Sequence, residues 1–500
     1  MPRFSVIFAG VTTVIAGLAF ASAPANAQTA AAPTNYNCLT QPQVKLVDTQ
    51  DPVFASQDNF NCFAWQTFIN LTWAAKPGSP GVPDSSVPPS AYGQPTTPGP
   101  QEKATVWETF SSKDAVFKPD AAPPDPFGTP PSGSEHCKAT EPGEVPLFAI
   151  TKLAGDGTKG LSDISQAGMG KFGWVTAQNG QPTYYDVRLN KTEYDYIVSN
   201  QLYNAAQQGK LATSPQGLLL PNGVVEIKAA WLEIKDNALW PRYRMIQTII
   251  KETDPANPGR PKCRVANMGL IAVHMIHKTA LAQQFAWTTF EQVDNQPTFG
   301  DAADEKRHFT YFNPSCDPAK DPYKCQINAA PCTDPKDPKT CRPISAPNQV
   351  EKIIPMPPAT KSLNEAMRDM IKTANGNSVY QYYQLVDTLW PSDNTTIPPM
   401  ARTPLYDGNP QPPLGQGGLL NPLIETYFQG GDPNQTGGSN PRGFLSCQSC
   451  HVGAAIAKQP AVTQCTVPTV RGQSGDASCA SDYSFLFKNA TCPKGTECNK

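Results

Sequence analysis

Three observations predict an α+β fold: an antiparallel β-rich core with short helices and long Pro-rich loops. From about residue 220, β-branched and aromatic runs alternate with Gly/Pro turns. Helical spacing of apolar residues is confined to a few short segments. Proline is abundant, 53 of 500 residues, while only 16% of residues are charged, a composition that favours loops over long helices.

The first element is a leader. Arg3 is followed by an apolar run from Phe4 to Phe20 and by Ala25-Asn26-Ala27, the pattern of a signal peptide cleaved after Ala27. A run of roughly 17 residues is short for a membrane span. The mature chain is therefore expected to be periplasmic or extracellular and to lack a transmembrane segment. The full chain carries a formal net charge of −2, which becomes −3 once the leader with Arg3 is removed, and it has no basic block for nucleic acid.

Residues 28–145 read as an N-terminal segment with one buried helix and Pro-rich loops. "NFNCFAWQTFINLTWAA" (59–75) puts Phe60, Phe63, Ala64, Thr67, Phe68 and Leu71 at helical spacing, with Trp65 and Trp73 in core roles. The Pro/Gly/Ser-rich 76–100 must be loop, "ATVWETF" (104–110) is ordered, and 118–145 is again Pro-rich. Residues 146–400 read as the β-rich core. "NGVVEIKAAWLEI" places Val225, Ile227, Ala229 and Trp231 on one face, and "RYRMIQTIIKE", "CRVANMGLIAVHMIHKT" and "QFAWTTFEQVDN" follow as strands of a sheet or sandwich. "SLNEAMRDMIKTAN" (362–375) reads as a helix with Ser362 as N-cap and Glu365 completing a capping box. "SVYQYYQLVDTLWP" reads as a strand, and "GLLNPLIETYFQGG" (418–431) as a short helix ending on glycines. Residues 401–500 form the C-terminal region.

Export makes disulfides expected among the 14 cysteines. Setting aside Cys447 and Cys450, twelve remain, enough for six bridges. A Cys-rich loop at 316–341 holds two tandem ten-residue segments, "CDPAKDPYKC" and "CTDPKDPKTC", each bracketing an Asp-Pro turn. Each is expected to close on itself, as Cys316–Cys325 and Cys332–Cys341.

"SCQSCH" places Cys447 and Cys450 two residues apart with His451 directly after. C-x-x-C-H is the attachment pattern of c-type haem: two thiols form thioethers to the vinyl groups of one haem edge, and the adjacent imidazole becomes the axial ligand. By composition the pattern has a chance expectation of roughly 0.004. A redox dithiol would sit at a helix start after a strand, which "NPRGFLS" supports weakly; zinc would need a second ligand pair, which is absent. The predicted cofactor is one covalent haem c, held by Cys447, Cys450 and His451 in a small C-terminal helical/loop region.

No Met or His follows His451, so the sixth iron ligand comes from upstream, or that position is open or held by water. His136 and His308 lie in polar, loop-like sequence. His274 and His277 lie in an apolar strand and face opposite sides of it, with His274 the stronger candidate and His277 the weaker. Met268 and Met275 are thioether alternatives.

With these residues in view, the chain resembles a family of exported bacterial single-haem proteins described as cytochrome c family proteins. The resembling segments are "CFAWQTFINLTWAA", "VWETF", "VEIKAAW", "LIAVHMIHKTALAQQFAWTTFEQVDN", "LVDTLWP", "LIETYFQ" before "SCQSCH", and "DYSFLF". The resemblance implies that the haem motif belongs to one compact unit rather than an appended domain, and it supplies no catalytic residue. The 316–341 loop is not part of it.

The expectation is a c-type cytochrome that exchanges electrons with a redox protein or a small-molecule donor or acceptor. The alternative is a haem enzyme, of peroxidase or oxygenase type, with an open sixth position; a weaker third is a binding or sensor module with structural haem. The size of the chain favours an enzyme, and the absence of a recognisable distal acid–base motif speaks against one.

Overall fold

Apolar residues at helical spacing form the first element, the helix α1 (Gln57–Thr72), which buries Phe60, Phe63, Ala64, Trp65, Phe68 and Leu71. The computed structural model describes residues 38–44, 57–99, 103–130, 150–151, 175–254, 257–280, 282–298, 307–329, 346–390, 419–429, 447, 451, 453–457, 469–471 and 477–496. The leader, Cys332, Cys341 and Cys450 lie outside the described residues. After α1 come β1 (Ser111–Ser112), α2 (Lys113–Val116), β2 (Ile150–Thr151), β3 (Thr183–Leu189), α3 (Lys191–Ser199), α4 (Ala205–Ala212) and β4 (Val225–Glu233). Then follow β5 (Met245–Asp254), β6 (Asn257–His277), β7 (Ala286–Gln292), α5 (Pro358–Ala374), β8 (Tyr383–Leu389), β9 (Thr469–Arg471) and β10 (Ala477–Cys479). The fold is α+β with a β-rich core.

Eight strands form one sheet in the order β1-β3-β4-β6-β5-β2, with β7 added to β6 and β8 to β7. The pairing of β2 with β5 is parallel; the others are antiparallel. The 21-residue β6 is the organiser. One of its edges takes β4; the other takes β5 along residues 257–269 and β7 along 272–277. A separate pair, β9 and β10, is antiparallel.

Both faces of the sheet are covered. Val225, Ile227, Ala229 and Trp231 share one face with Met268, Leu270, Val273 and Met275, and they pack against α1 and α5. Trp65 and Trp73 belong to this core, their indole N–H groups donating to Asn364 Oδ1 and the Asp84 carbonyl at 3.0 Å each. On the opposite face Ala230 and Leu232 lie with Ile271 and Ala272 in a second cluster. The two faces are joined across β6 by a bulge. Pairing passes from Ala230–Ala272 to Trp231–Leu270, leaving Ile271 as the extra residue, its carbonyl accepting from Asn295 Nδ2 at 2.8 Å.

Several boundaries differ from the sequence expectation. α5 begins at Pro358 with Pro357 as N-cap, so Ser362 lies inside the helix; the fixed proline φ supplies the helix start that Ser362 was expected to supply. The strand read in 378–391 is confined to Tyr383–Leu389, because Ser378 caps a 3₁₀ turn over Val379–Tyr382. Residues 419–429 form turns and a 3₁₀ segment (Thr426–Phe428) instead of a regular helix. There Asn421 spends its side chain on the sheet, donating to Thr289 Oγ1 at 2.8 Å and accepting from Leu423 N.

Cys316–Cys325 is a disulfide, as its ten-residue loop implies, and Cys38–Cys62 ties residues 38–44 to α1. Cys479 and Cys492 are also disulfide-bonded. Loop-closure entropy for so short a ring amounts to about 2–3 kcal/mol. The Cys316→Ser/Cys325→Ser double variant should therefore lose no more than that in urea unfolding while the rest of the fold stays native, as read from unchanged near-ultraviolet circular dichroism. A collapse of the whole fold would mean the loop carries global contacts.

Candidate cofactor-binding site

Among the residues of the C-x-x-C-H run, Cys447 and His451 are described, both with helical backbone. Cys447 carries a thiol, and its Sγ donates to the Leu419 carbonyl at 3.1 Å. Its backbone N–H bonds the same carbonyl at 3.2 Å, so the motif is pinned to the 419–429 segment.

His451 is held on three sides. Its Nδ1 lies 2.7 Å from the Tyr483 carbonyl oxygen; a carbonyl can only accept, so Nδ1 carries the proton and Nε2 keeps its lone pair. The ring packs edge-on against Trp287 (4.6 Å between centroids) and Phe485 (4.8 Å). Burial pulls its pKa down to about 4; Lys228 and His274 push the same way, against the Tyr483 carbonyl and Glu425. At neutral pH it is an uncharged imidazole with one oriented lone pair, the form in which histidine ligates a metal.

The turn that supplies the carbonyl is strained and anchored. Asp482 and Tyr483 both adopt positive φ (51° and 67°), which non-glycine residues avoid. Asp482 holds the turn down with two bonds: it accepts from Lys278 Nζ at 2.5 Å and from Leu220 N at 2.7 Å. Ser481 N–H donates to the Ala454 carbonyl, which ties the turn to the chain just after His451.

The bulge at Ile271 decides which strand histidine meets this site. Past it, Ala272, His274 and Ile276 lie on the Trp287 face, and Val273, Met275 and His277 on the α1 face. His274 therefore lies on the His451 side, close enough for their charges to interact. Its Nε2 donates to Glu425 Oε1 at 2.8 Å, and Glu425 lies 3.9 Å from Lys228, the cross-strand partner of His274. Burial raises the Glu425 pKa, but His274, Lys228 and the Asn421 N–H more than offset this, so it ends below the usual carboxylate value. From Val224 to Ile234 only Lys228 is not fully buried, and from Met268 to Thr279 only His274. The two sit side by side and form a half-buried polar opening on the face of β4 and β6 that His451 approaches.

His277 lies on the other face, stacked on Phe63 at 5.2 Å, with burial pulling its pKa to about 4. Met268 and Met275 share that face. His308 is exposed, and His136 lies outside the described residues, as does Cys450. Lys228, Glu425, Trp287 and the Asp482–Tyr483 turn were not singled out from sequence. A signal was present for Lys228, with Glu226 one of only two charges in the apolar run "VVEIKAAW".

Comparison with protein-family models, with curated proteins and with solved structures finds no match. The donor set carries the functional reading alone. It fits a c-type haem: a thiol and a neutral imidazole four residues apart in sequence, an oriented Nε2, two aromatic walls, and a polar opening nearby.

Proposed function

We propose that the chain is an exported c-type cytochrome of the kind its segments resemble. One haem would be bound through Cys447 and Cys450, with His451 as axial ligand, and electrons would pass to or from a redox protein or a small-molecule partner. The observation that carries this reading is the His451–Tyr483 hydrogen bond, which fixes the tautomer and aims Nε2 from within the C-x-x-C-H run. The haem supplies reversible one-electron chemistry. The chain's own residues do the rest: Trp287 and Phe485 keep water from the imidazole, Tyr483 orients it, and His274 is the proposed sixth ligand. The disulfides fit an oxidising compartment, and no described helix is long and apolar enough to cross a membrane.

One observation favours the enzyme reading as the second. His274 Nε2 is engaged by Glu425, an arrangement that also suits a hydrogen-bonding group beside an open coordination position.

The test is covalent haem. Protein matured in a host with c-type assembly machinery should retain haem-dependent peroxidase staining after denaturing electrophoresis, and the Cys447→Ser/Cys450→Ser variant should lose it. An unstained wild-type band rejects the reading.

A further inference from the structure

Beside the site lies a cluster of carboxyls that the proposed electron transfer does not use. Glu226 of β4 and Glu193 of α3 are buried, at 6% and 0% exposure, with their carboxyls close enough to interact, and Glu193 Oε1, Glu193 Oε2 and Glu226 Oε1 have no hydrogen-bond partner among the described residues. Buried carboxyls without partners favour the protonated, neutral form. Asp482, wholly buried, stands close behind, and Ser484 donates its hydroxyl to Glu226. The charged group nearest the pair is Asp482, with its partner Lys278 behind it; Tyr196 of α3 faces Asp482, and Lys228 lies two residues along β4 from Glu226. Three buried carboxyls against the one buried ammonium of Lys278 leave an excess of negative charge that protons must neutralise. Among the described residues no group of three or more His, Cys, Asp or Glu side chains is placed to hold a bare metal ion.

Two links connect this cluster to the site. Glu226 and Lys228 are two residues apart on one strand, so they share a face at a spacing of about 6–7 Å, and Lys228 lines the polar opening. Asp482 and Ser484 flank Tyr483, whose carbonyl holds His451.

We propose that Glu193 and Glu226 form a buried proton-binding site that takes up a proton when an electron arrives at the centre held by His451. The inference rests on the haem reading above. The electron comes from a one-electron donor and turns ferric iron ferrous; the proton comes from solvent and forms an O–H bond on the Glu226 carboxylate. Added negative charge beside the strand favours the protonated acid. Burial, with Asp482 adding to it and Ser484 and Glu193 opposing, brings the Glu226 pKa to about 7, and Glu193 lies well above the usual range. Burial and the neighbouring Glu226 bias Glu193 toward its protonated form, so Glu226 is the member of the pair proposed to change state.

The midpoint potential of the holoprotein, measured spectroscopically from about pH 5 to pH 9, tests this. In the wild type the potential should fall as pH rises past neutrality, by at most about 59 mV per tenfold change in proton concentration. Glu226→Gln should flatten that response, while Glu193→Gln, an isostere of the protonated acid, should keep it. A fully haem-loaded Glu226→Gln protein with the wild-type pH response overturns the proposal and leaves the haem reading standing; absence of covalent haem overturns both. If Glu226→Gln does not fold, the reduced-minus-oxidised infrared spectrum of the wild type decides. A carboxylic acid C=O band that gains intensity on reduction and shifts in D₂O supports the site, and its absence overturns it.

Discussion

Lys278→Ala should lower the unfolding free energy by about 3–5 kcal/mol at pH 7, the range for removing one partner of a buried ion pair. Lys278 and Asp482 are 3% and 0% exposed, and Asp482 faces no other described cation. Without the ammonium, Asp482 keeps only the Leu220 N–H, and Glu193 and Glu226 lie nearby as like charges. The cost depends on pH, and its sign follows from the shift. Burial holds the Asp482 pKa above its ordinary value even with Lys278 present, and removing Lys278 takes it higher. The variant's penalty is therefore full above that raised pKa and shrinks as pH falls below it, because the folded acid is then neutral and no longer needs the ammonium. Urea unfolding at pH 7 and pH 4 measures both terms. Lys278→Met/Asp482→Leu should recover most of the loss, since it removes both charges together. A single-variant loss below about 1 kcal/mol would show that water reaches Asp482. Because the turn aims the Tyr483 carbonyl, Lys278→Ala should, on the proposed haem reading, also lower haem retention.

The elements were legible where one local signal dominates. The helical spacing of Phe60, Ala64, Phe68 and Leu71 and the apolar runs of β4, β6 and β7 match the structure because packing against a covered sheet rewards those patterns. The Asp-Pro turn at 316–325 was legible as a closed ring for the same reason: proline and aspartate set the geometry locally. What was hidden is nonlocal. Residues 419–429 carry helical spacing, yet Asn421 bonds Thr289 and Glu425 bonds His274, and these tertiary bonds override the local preference. The proline start of α5 outranked a plausible capping box four residues later.

The site shows the same division. Cys447 and His451 were singled out by chemistry written in one hexapeptide. The groups that complete it come from β4, β6, β7 and the 480s, and no sequence pattern links Lys228 to Glu425 or Trp287 to His451. Strict alternation from Leu270 would put His274 on the α1 face, away from His451. One extra residue, Ile271, reverses that, and a bulge of this kind is set by pairing across strands and not by the bulged strand's own pattern.

The reversal makes the two strand histidines unequal, and the second large effect follows from it. On the proposed haem reading, His274→Ala should change the optical spectrum of the protein, whereas His277→Ala should leave it unchanged. His274 shares a face and an electrostatic field with His451, while His277 is stacked on Phe63 across the sheet. If His274 is the sixth ligand, the wild type is low-spin, and His274→Ala becomes high-spin and binds carbon monoxide once reduced. If the wild type is already high-spin, ligation from β6 is rejected. His274 is then the hydrogen-bonding partner of whatever occupies the iron, and its loss changes ligand affinity instead. His277→Ala should show its effect in stability, a loss of about 1–3 kcal/mol from the emptied pocket. That loss has its own pH signature. The His277 pKa is depressed to about 4 by burial, so its neutral ring contributes fully above the unfolded value of about 6.5, and the contribution fades as pH falls toward 4. The stability gap between wild type and His277→Ala should therefore narrow in acid. A spectrum that responds to His277→Ala and ignores His274→Ala would place the haem on the α1 face and reject the bulge-based assignment.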